Sequence, residues 1–126
     1  MMITDFFRKK INIKKIETVI SHFDNHLYAD VVVWVTPIYY FEMSGQMKIL
    51  IDRLNPMYSK DYQFRDVYLL ATAAKEGDNV FEKVITGINS WIDCFERTSI
   101  KGTVLCGGDI SGNNKLKEAY NLGSRI

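Results

Sequence analysis

The chain of 126 residues contains few cysteines, no long apolar run and almost no net charge. Cys94 and Cys106 stand apart, without C-x-x-C spacing or a nearby histidine cluster, so we expect buried thiols in a reducing cytoplasm rather than a disulfide or a metal site. No stretch approaches the ~18 apolar residues of a membrane-spanning helix, and residues 1–10 lack the apolar core of a signal peptide. Sixteen basic and fifteen acidic residues exclude a long-range field that would attract nucleic acid or a membrane.

The composition that remains is ordinary for one globular domain, with 47% apolar and 25% charged residues. This length is enough for a single core, and no linker or internal repeat divides it, so residues 1–126 are predicted to form one domain. Residues 1–12 are interpreted as an N-terminal arm. The cysteine pattern and the balance of charges therefore predict a cytoplasmic domain without a nucleic-acid or membrane partner.

The central stretch of the sequence reads as a strand, a loop and a helix. Val31 to Val35 form an unbroken, mostly β-branched apolar run, which is typical of a strand buried on both faces of a parallel sheet. Pro37 has no N–H and is expected to end the ladder. Ser44 can cap a helix that Asn55-Pro56 ends, with an apolar face of Met47, Leu50, Ile51 and Leu54. The loop 36–43 is thus expected at the carboxyl end of a parallel strand, where open α/β sheets bind ligands.

Two more buried strands and three more helices complete the pattern. The strands are predicted at Val67–Thr72 and Thr103–Cys106. The first helix covers residues 13–27, with Asn12 as its cap and His22 and His26 one turn apart, a spacing that suits a metal but more often marks a solvated face. The helix after the second strand carries the apolar face Phe81, Val84, Ile85, Ile88, Trp91, Ile92 and Phe95, and Asn79 with Glu82 predicts a capping box at its start.

The last helix is predicted from about Asn114. It places Leu116, Ala119 and Tyr120 inward, and Gly123 occupies the position of a left-handed C-terminal cap. The order α-β-α-β-α-β-α then predicts an α/β fold with a parallel sheet and helices on both of its faces.

Several motifs of the central stretch resemble one known family. Thr36-Pro37-Ile38-Tyr39, Ser44-Gly45-Gln46, Lys48 and Ile51-Asp52-Arg53 follow one another as in the flavodoxin-like NAD(P)H-dependent FMN reductases. The resemblance continues in YLLATAAKEG and GDISGNNKLKEAYNLGSRI and covers roughly residues 16–126. It implies a flavodoxin-like three-layer α/β/α fold and an FMN-dependent oxidoreductase that takes hydride from NAD(P)H onto flavin N5 and passes it to a small-molecule acceptor.

The resemblance also implies which residues bind the cofactor, and it assigns no catalytic side chain or metal ligand. The implied flavin contacts are Thr36, Pro37, Ile38, Tyr39, Tyr40 and Phe41 in the first loop, and Ala73, Ala74 and Lys75 in the second. The alternative for the three aromatic residues is packing of a loop or of a subunit contact. Gly107-Gly108-Asp109 occupies a third loop, where the glycines suit a structural or a functional turn. Asp52 and Arg53 are more simply explained by ion pairing at a helix end.

One part of the family pattern is not found in the sequence. A flavodoxin-like fold holds the FMN phosphate in a loop resembling G-S-P-R-x-x-G-N-T, and none of the 126 residues match it. The resemblance therefore implies an N-terminally truncated fold with three core strands, without about 50–60 residues of the pattern. FMN is expected to bind weakly or not at all to this chain alone. Loss of the phosphate site would lower the affinity for FMN by roughly 10⁴-fold. The alternative function is a non-catalytic remnant or assembly module that binds no flavin.

The missing strands also lead to a prediction about assembly. In the flavodoxin strand order, Val31–Val35 would become the edge of the sheet, with no lysine or proline inside the run to protect it. An apolar edge of this kind is a template for pairing with another chain. We therefore expect a homo-oligomer, a homodimer in its simplest form, unless the 1–12 arm covers this edge.

Overall fold

The structure is a computed structural model that describes residues 27–109 and 114–126. The strands are β1 (Val31–Tyr39), β2 (Glu42–Met43), β3 (Asp66–Ala73) and β4 (Ser99–Gly107), and the helices are α1 (Gly45–Arg53), α2 (Glu82–Asp93) and α3 (Lys115–Ser124). Short 3-10 turns cover Asn55–Ser59 and Asp78–Val80. The 1–12 arm, His22, His26 and all but the end of the helix predicted over residues 13–27 lie outside the described residues.

The strands form one sheet in the order β2-β1-β3-β4. β1 runs parallel to β3 and β3 runs parallel to β4, so three neighbouring strands point the same way. This confirms the predicted parallel sheet, and β1, β3 and β4 are its three parallel strands within residues 27–109. β2 was not predicted; it pairs antiparallel with the end of β1, through Ile38 with Met43 and Tyr39 with Glu42. In the described residues no helix is both long and apolar enough to cross a membrane.

One expectation for β1 is confirmed and one was wrong. Pro37 ends the ladder with β3 as expected, since Pro37 beside Thr72 is its last pair, and β1 runs on to Tyr39 only beside β2. β1 is not buried on both faces, since its side chains alternate between half-buried and buried. The central strand β3 has the nearly continuous burial that had been expected of β1.

One face of the sheet packs against α1 and α2 in the main core. An aromatic group lies at its centre: the rings of Phe64 and Trp91 stack at 5.7 Å, and Trp34 meets Trp91 edge-on at 5.2 Å. Aromatic pairs of this kind contribute about 0.5–1.5 kcal/mol each beyond their buried area. The predicted apolar faces of both helices are confirmed, since their members are buried or packed against this core.

The other face of the sheet has a smaller core under α3. Leu70, Val104 and Ala119 are its buried members, and Val33 and Val35 of β1 pack at its margin. α3 crosses β4 so closely at Gly102 that a Cβ there would lie 2.9 Å from a methyl group of Leu122. Because α3 lies over β3 and β4, the corresponding face of β1 is only partly covered by the described residues.

α1 begins and ends where the sequence predicts, after Ser44 and before Asn55-Pro56, whereas the start of α2 differs. Ser44 caps α1 as predicted, since its hydroxyl accepts the N–H of Met47 at 3.3 Å. The capping box before α2 is wrong: Asn79 lies inside the 3-10 turn Asp78–Val80, and Phe81 holds the cap position without a side-chain bond. A residue within a turn does not have the extended backbone of a cap.

α3 begins close to the predicted residue but presents a different face. Ala119 is buried, whereas Tyr120 is largely exposed, because Leu122 rather than Tyr120 packs against the sheet. Gly123 lies inside the helix and not in a left-handed cap, and Arg125 ends the helix with ordinary negative φ. The predicted inward Tyr120 and the predicted glycine cap were therefore wrong.

Both cysteines are free thiols, but only one is buried. Cys106 lies in the sheet as expected. Cys94 is exposed at the end of α2, where its thiol lies 3.4 Å from the carbonyl of Ser90, so its predicted burial was wrong. The helical spacing explains this position, since Trp91, Ile92 and Phe95 already occupy the inward face of α2.

Candidate functional site

Three loops meet at the carboxyl ends of β1, β3 and β4. We call them the carboxyl-end rim, defined as residues 36–43, 73–77 and 107–109. The first and second loops touch where the Lys75 ammonium lies 5.2 Å from the ring centre of Phe41. The second and third are joined by the N–H of Gly108, which donates to the carbonyl of Ala73 at 2.9 Å. The rim therefore brings all three predicted loops to one edge of the sheet.

The first loop of the rim is a tight hairpin between β1 and β2. Its two central residues, Tyr40 (φ 50°) and Phe41 (φ 66°), have positive φ although neither is glycine. These are the φ signs of a type I′ turn, which asparagine and glycine adopt more easily. A left-handed conformation costs an ordinary residue about 1–2 kcal/mol. Strain of this kind concentrates at functional sites, where the conformation itself is used.

The strained hairpin presents aromatic side chains to solvent. Tyr39 is 62% exposed and Tyr40 is 96% exposed, while Phe41 is partly covered by Lys75. Exposed aromatic side chains at the carboxyl end of an open α/β sheet can offer apolar contact to a planar heteroaromatic ligand.

The other predicted residues of the first loop are more buried than its aromatic residues. Thr36 is fully buried; its hydroxyl donates to the carbonyl of Pro37 at 2.7 Å and accepts the N–H of Ser44 at 3.0 Å. Ile38 is buried and Pro37 is half-buried. The hydrogen bond from Ser44 to Thr36 ties the end of β1 to the cap of α1 and so supports the loop.

The second and third loops pack on each other without space for larger residues. A Cβ at Gly107 would lie 2.7 Å from the carbonyl oxygen of Lys75, and Gly108 has φ 79°. Both glycines are thus required by the close approach of the two loops, which favours the structural alternative for this turn. Ala73 is buried, while Ala74 and Lys75 are exposed on the rim.

Two features of the rim were not predicted from the sequence. The hairpin was missed because Tyr-Phe, unlike Asn-Gly, gives no turn signal at its centre. Thr72 was not singled out as a site residue, although its side chain is buried and its hydroxyl has no hydrogen-bond partner. A threonine within an apolar strand run is the signal that could have drawn attention to it.

Charged groups elsewhere serve the fold. Asp52 pairs with Lys48 one turn earlier on the exposed side of α1, which agrees with the ion-pair interpretation of this helix end. At the opposite end of the strands, the Arg97 guanidinium donates a hydrogen bond to the Asp61 carboxylate at 2.9 Å, and this bond, together with a weaker contribution from Tyr62, raises the pKa of Arg97 above its ordinary value. Residues 27–109 and 114–126 contain no group of three or more side chains suited to hold a metal ion.

Solved structures with this architecture define the class of fold. The chain superposes on the Trp repressor binding protein from Bacillus subtilis with a TM-score of 0.71 and 23% identity, over 94% of this chain and 88% of that one. It superposes on the azoreductase AzrA and on the azoreductase from Bacillus anthracis with a TM-score of 0.63 each, at 19% and 18% identity. In both cases it covers 88% of its own length and 64% of the azoreductase. The chain thus has a flavodoxin-like α/β fold, as predicted.

A family comparison gives the more specific result. The model of the NADPH-dependent FMN reductases matches residues 19–99, which is more than half of the chain. The chain belongs to this family, and the resemblance seen in its motifs is confirmed. A comparison with curated proteins gives no match.

Proposed function

We propose that the chain is an FMN-dependent NAD(P)H oxidoreductase whose flavin ring lies on the carboxyl-end rim. The observation that carries the proposal is the strained hairpin, which holds Tyr39 and Tyr40 exposed beside two further loops at the ligand-binding edge of the sheet. Family membership supports the same kind of function. A bound flavin would supply the redox chemistry by accepting hydride from NAD(P)H and passing electrons to an acceptor.

The rim residues have distinct roles in this proposal. Tyr39, Tyr40 and Phe41 would offer flat apolar contact to the isoalloxazine, and backbone N–H groups of Ala74 and Lys75 would be available to its polar edge. The first two rim loops would be held in place by more buried residues: Thr36, Pro37, Ile38 and Ala73. The protein would thus bind and orient the flavin, and no side chain is needed to carry out the redox step.

The test is a comparison of FMN with riboflavin by fluorescence titration. Because the sequence contains no phosphate-loop motif, both should bind this chain with similar and weak affinity. Sub-micromolar binding of FMN with far weaker binding of riboflavin would show that a phosphate site exists and would contradict this part of the proposal. If neither flavin binds, the alternative function as an assembly module without flavin replaces it.

We also propose that the chain forms a homodimer in the cytoplasm. On the side away from β3, the neighbour of β1 among the described strands is β2. β2 pairs only with Ile38 and Tyr39 of β1. Val31, Val33 and Val35 on this strand are half-buried apolar side chains. Among the described strands this edge is unpaired before Ile38, and an apolar edge of this kind favours pairing with a second copy. The free thiols Cys94 and Cys106 suit a reducing compartment.

A further inference from the structure

The outer edge of β4 lies on the opposite side of the sheet from β2, and among the described strands none lies beside it. The N–H of Gly108 donates to the carbonyl of Ala73, which follows the direction of β3. In a trans peptide the carbonyl of Gly107 then points the opposite way, outward. Backbone groups alternate between the two sides along a strand. The N–H and carbonyl groups of Thr103, Leu105 and Gly107 therefore point away from β3.

This outer edge lies along a groove with a volume of about 420 Å³. We call it the β4 groove, defined as the space between residues 76–85, the edge residues of 103–107 and the start of α3 at 115–118. Ile85 and Leu105 give it partly buried apolar surface. The groove therefore combines outward backbone groups with an apolar contact, which are the two features that an added strand needs.

The charged residues that line the β4 groove are mostly acidic. Glu76 and Asp78 are exposed, and neither forms an ion pair with another of the described residues. Lys115 and Glu118 pair with each other at 3.0 Å. Three carboxylates and one ammonium group line the groove, so its formal charge is negative. This charge favours a partner with basic side chains.

The other half of the β4 edge is less suited to pairing. Val67 and Tyr68 of β3 pair with Ile100 and Gly102, so Lys101 is an extra residue in β4 at this bulge. Lys101 is also exposed. A bulge and a lysine are features that protect a strand edge from other chains. Pairing with a further strand is thus expected only along residues 103–107.

We propose that the β4 groove is a docking site for an extended, basic segment of a partner protein, which adds a strand beside residues 103–107. Main-chain hydrogen bonds to the outward groups would hold the segment, as in other cases of strand addition. An apolar side chain of the segment would pack against Ile85 and Leu105, and basic side chains would meet Glu76 and Asp78. Neither carboxylate is assigned to the flavin, so docking is tested separately from flavin binding.

The probe is a blocked heptapeptide in which lysine and valine alternate, titrated into the full chain and followed by NMR. A peptide with glutamate in place of lysine is the charge control, and it should bind at least about ten-fold more weakly. On addition of the lysine peptide, hydrogen exchange should slow at the amides of Thr103, Leu105 and Gly107. The amides of Val104 and Cys106 should change little because they point toward β3.

A pair of double variants tests the charge recognition. Glu76→Gln with Asp78→Asn should weaken binding of the lysine peptide about five-fold, since two exposed ion pairs are lost. The matched control is Asp93→Asn with Glu96→Gln. These residues are also exposed and lie at the far end of α2, so the control removes the same charge outside the groove. It should leave the affinity unchanged.

Four results would overturn the proposal. No binding of the lysine peptide at millimolar concentration would exclude the docking site. Equal binding of the two peptides, or equal weakening in the two double variants, would exclude recognition by the acidic groove. Binding without alternating amide protection would exclude strand addition. Protection of the Thr103, Leu105 and Gly107 amides that rises with protein concentration, without peptide, would show that a second copy of the chain occupies the edge instead.

Discussion

The hydroxyl of Thr36 holds the first rim loop to helix α1, and its removal gives a sharp test of this arrangement. In Thr36→Val the shape is kept, but the N–H of Ser44 loses its acceptor and the carbonyl of Pro37 loses its donor. Thr36 is 0% exposed and Ser44 is 8% exposed, so water has little access to the groups left behind. A buried polar group left without a partner costs about 1–3 kcal/mol.

From this cost we expect Thr36→Val to lower the free energy of unfolding by about 2–3 kcal/mol. Urea titration followed by tryptophan fluorescence should show the midpoint about 1 M lower with an unchanged slope. Thr36→Ser is the control, since it keeps the hydroxyl and should lose much less stability. If Thr36→Val unfolds within about 0.5 kcal/mol of wild type, the hydroxyl does not link β1 to α1, and another contact must position the rim.

The remaining predictions concern the exposed Tyr39 and the formation of a dimer. Tyr39→Ala should reduce flavin-dependent oxidation of NAD(P)H while the melting temperature stays within about 3 °C of wild type, because the side chain is largely exposed. A large loss of stability with unchanged activity would instead assign Tyr39 to packing. Light scattering after gel filtration at tens of micromolar should give the mass of a dimer. A clean monomer with the amides of Val31–Val35 still protected from hydrogen exchange would reject pairing through the Asp30–Thr36 edge.

The hydrophobic pattern by itself determined most of the described elements. The apolar spacing of α1 and α2 placed their inward faces correctly, because one helical face must be buried wherever the helix lies. The apolar strand runs and their alternation with helices were enough to predict a parallel sheet. These signals are local and strong. The order of the loops after the strands then predicted that they meet at the carboxyl ends of the strands, and the contact of Lys75 with Phe41 shows that the first two loops do.

Tertiary structure decided what depends on residues far apart in the chain. Whether Pro37 ends a strand depends on what lies beside β1, and whether Tyr120 is buried depends on how α3 crosses β4. The left-handed Tyr40 and Phe41 are held by the pairing of β1 with β2 and by Lys75 against their intrinsic preference. The unsatisfied hydroxyl of Thr72 is visible only once its neighbours in the sheet are known. In each case long-range packing outweighed a local preference worth only about 1–2 kcal/mol, so the sequence pattern could not reveal the result.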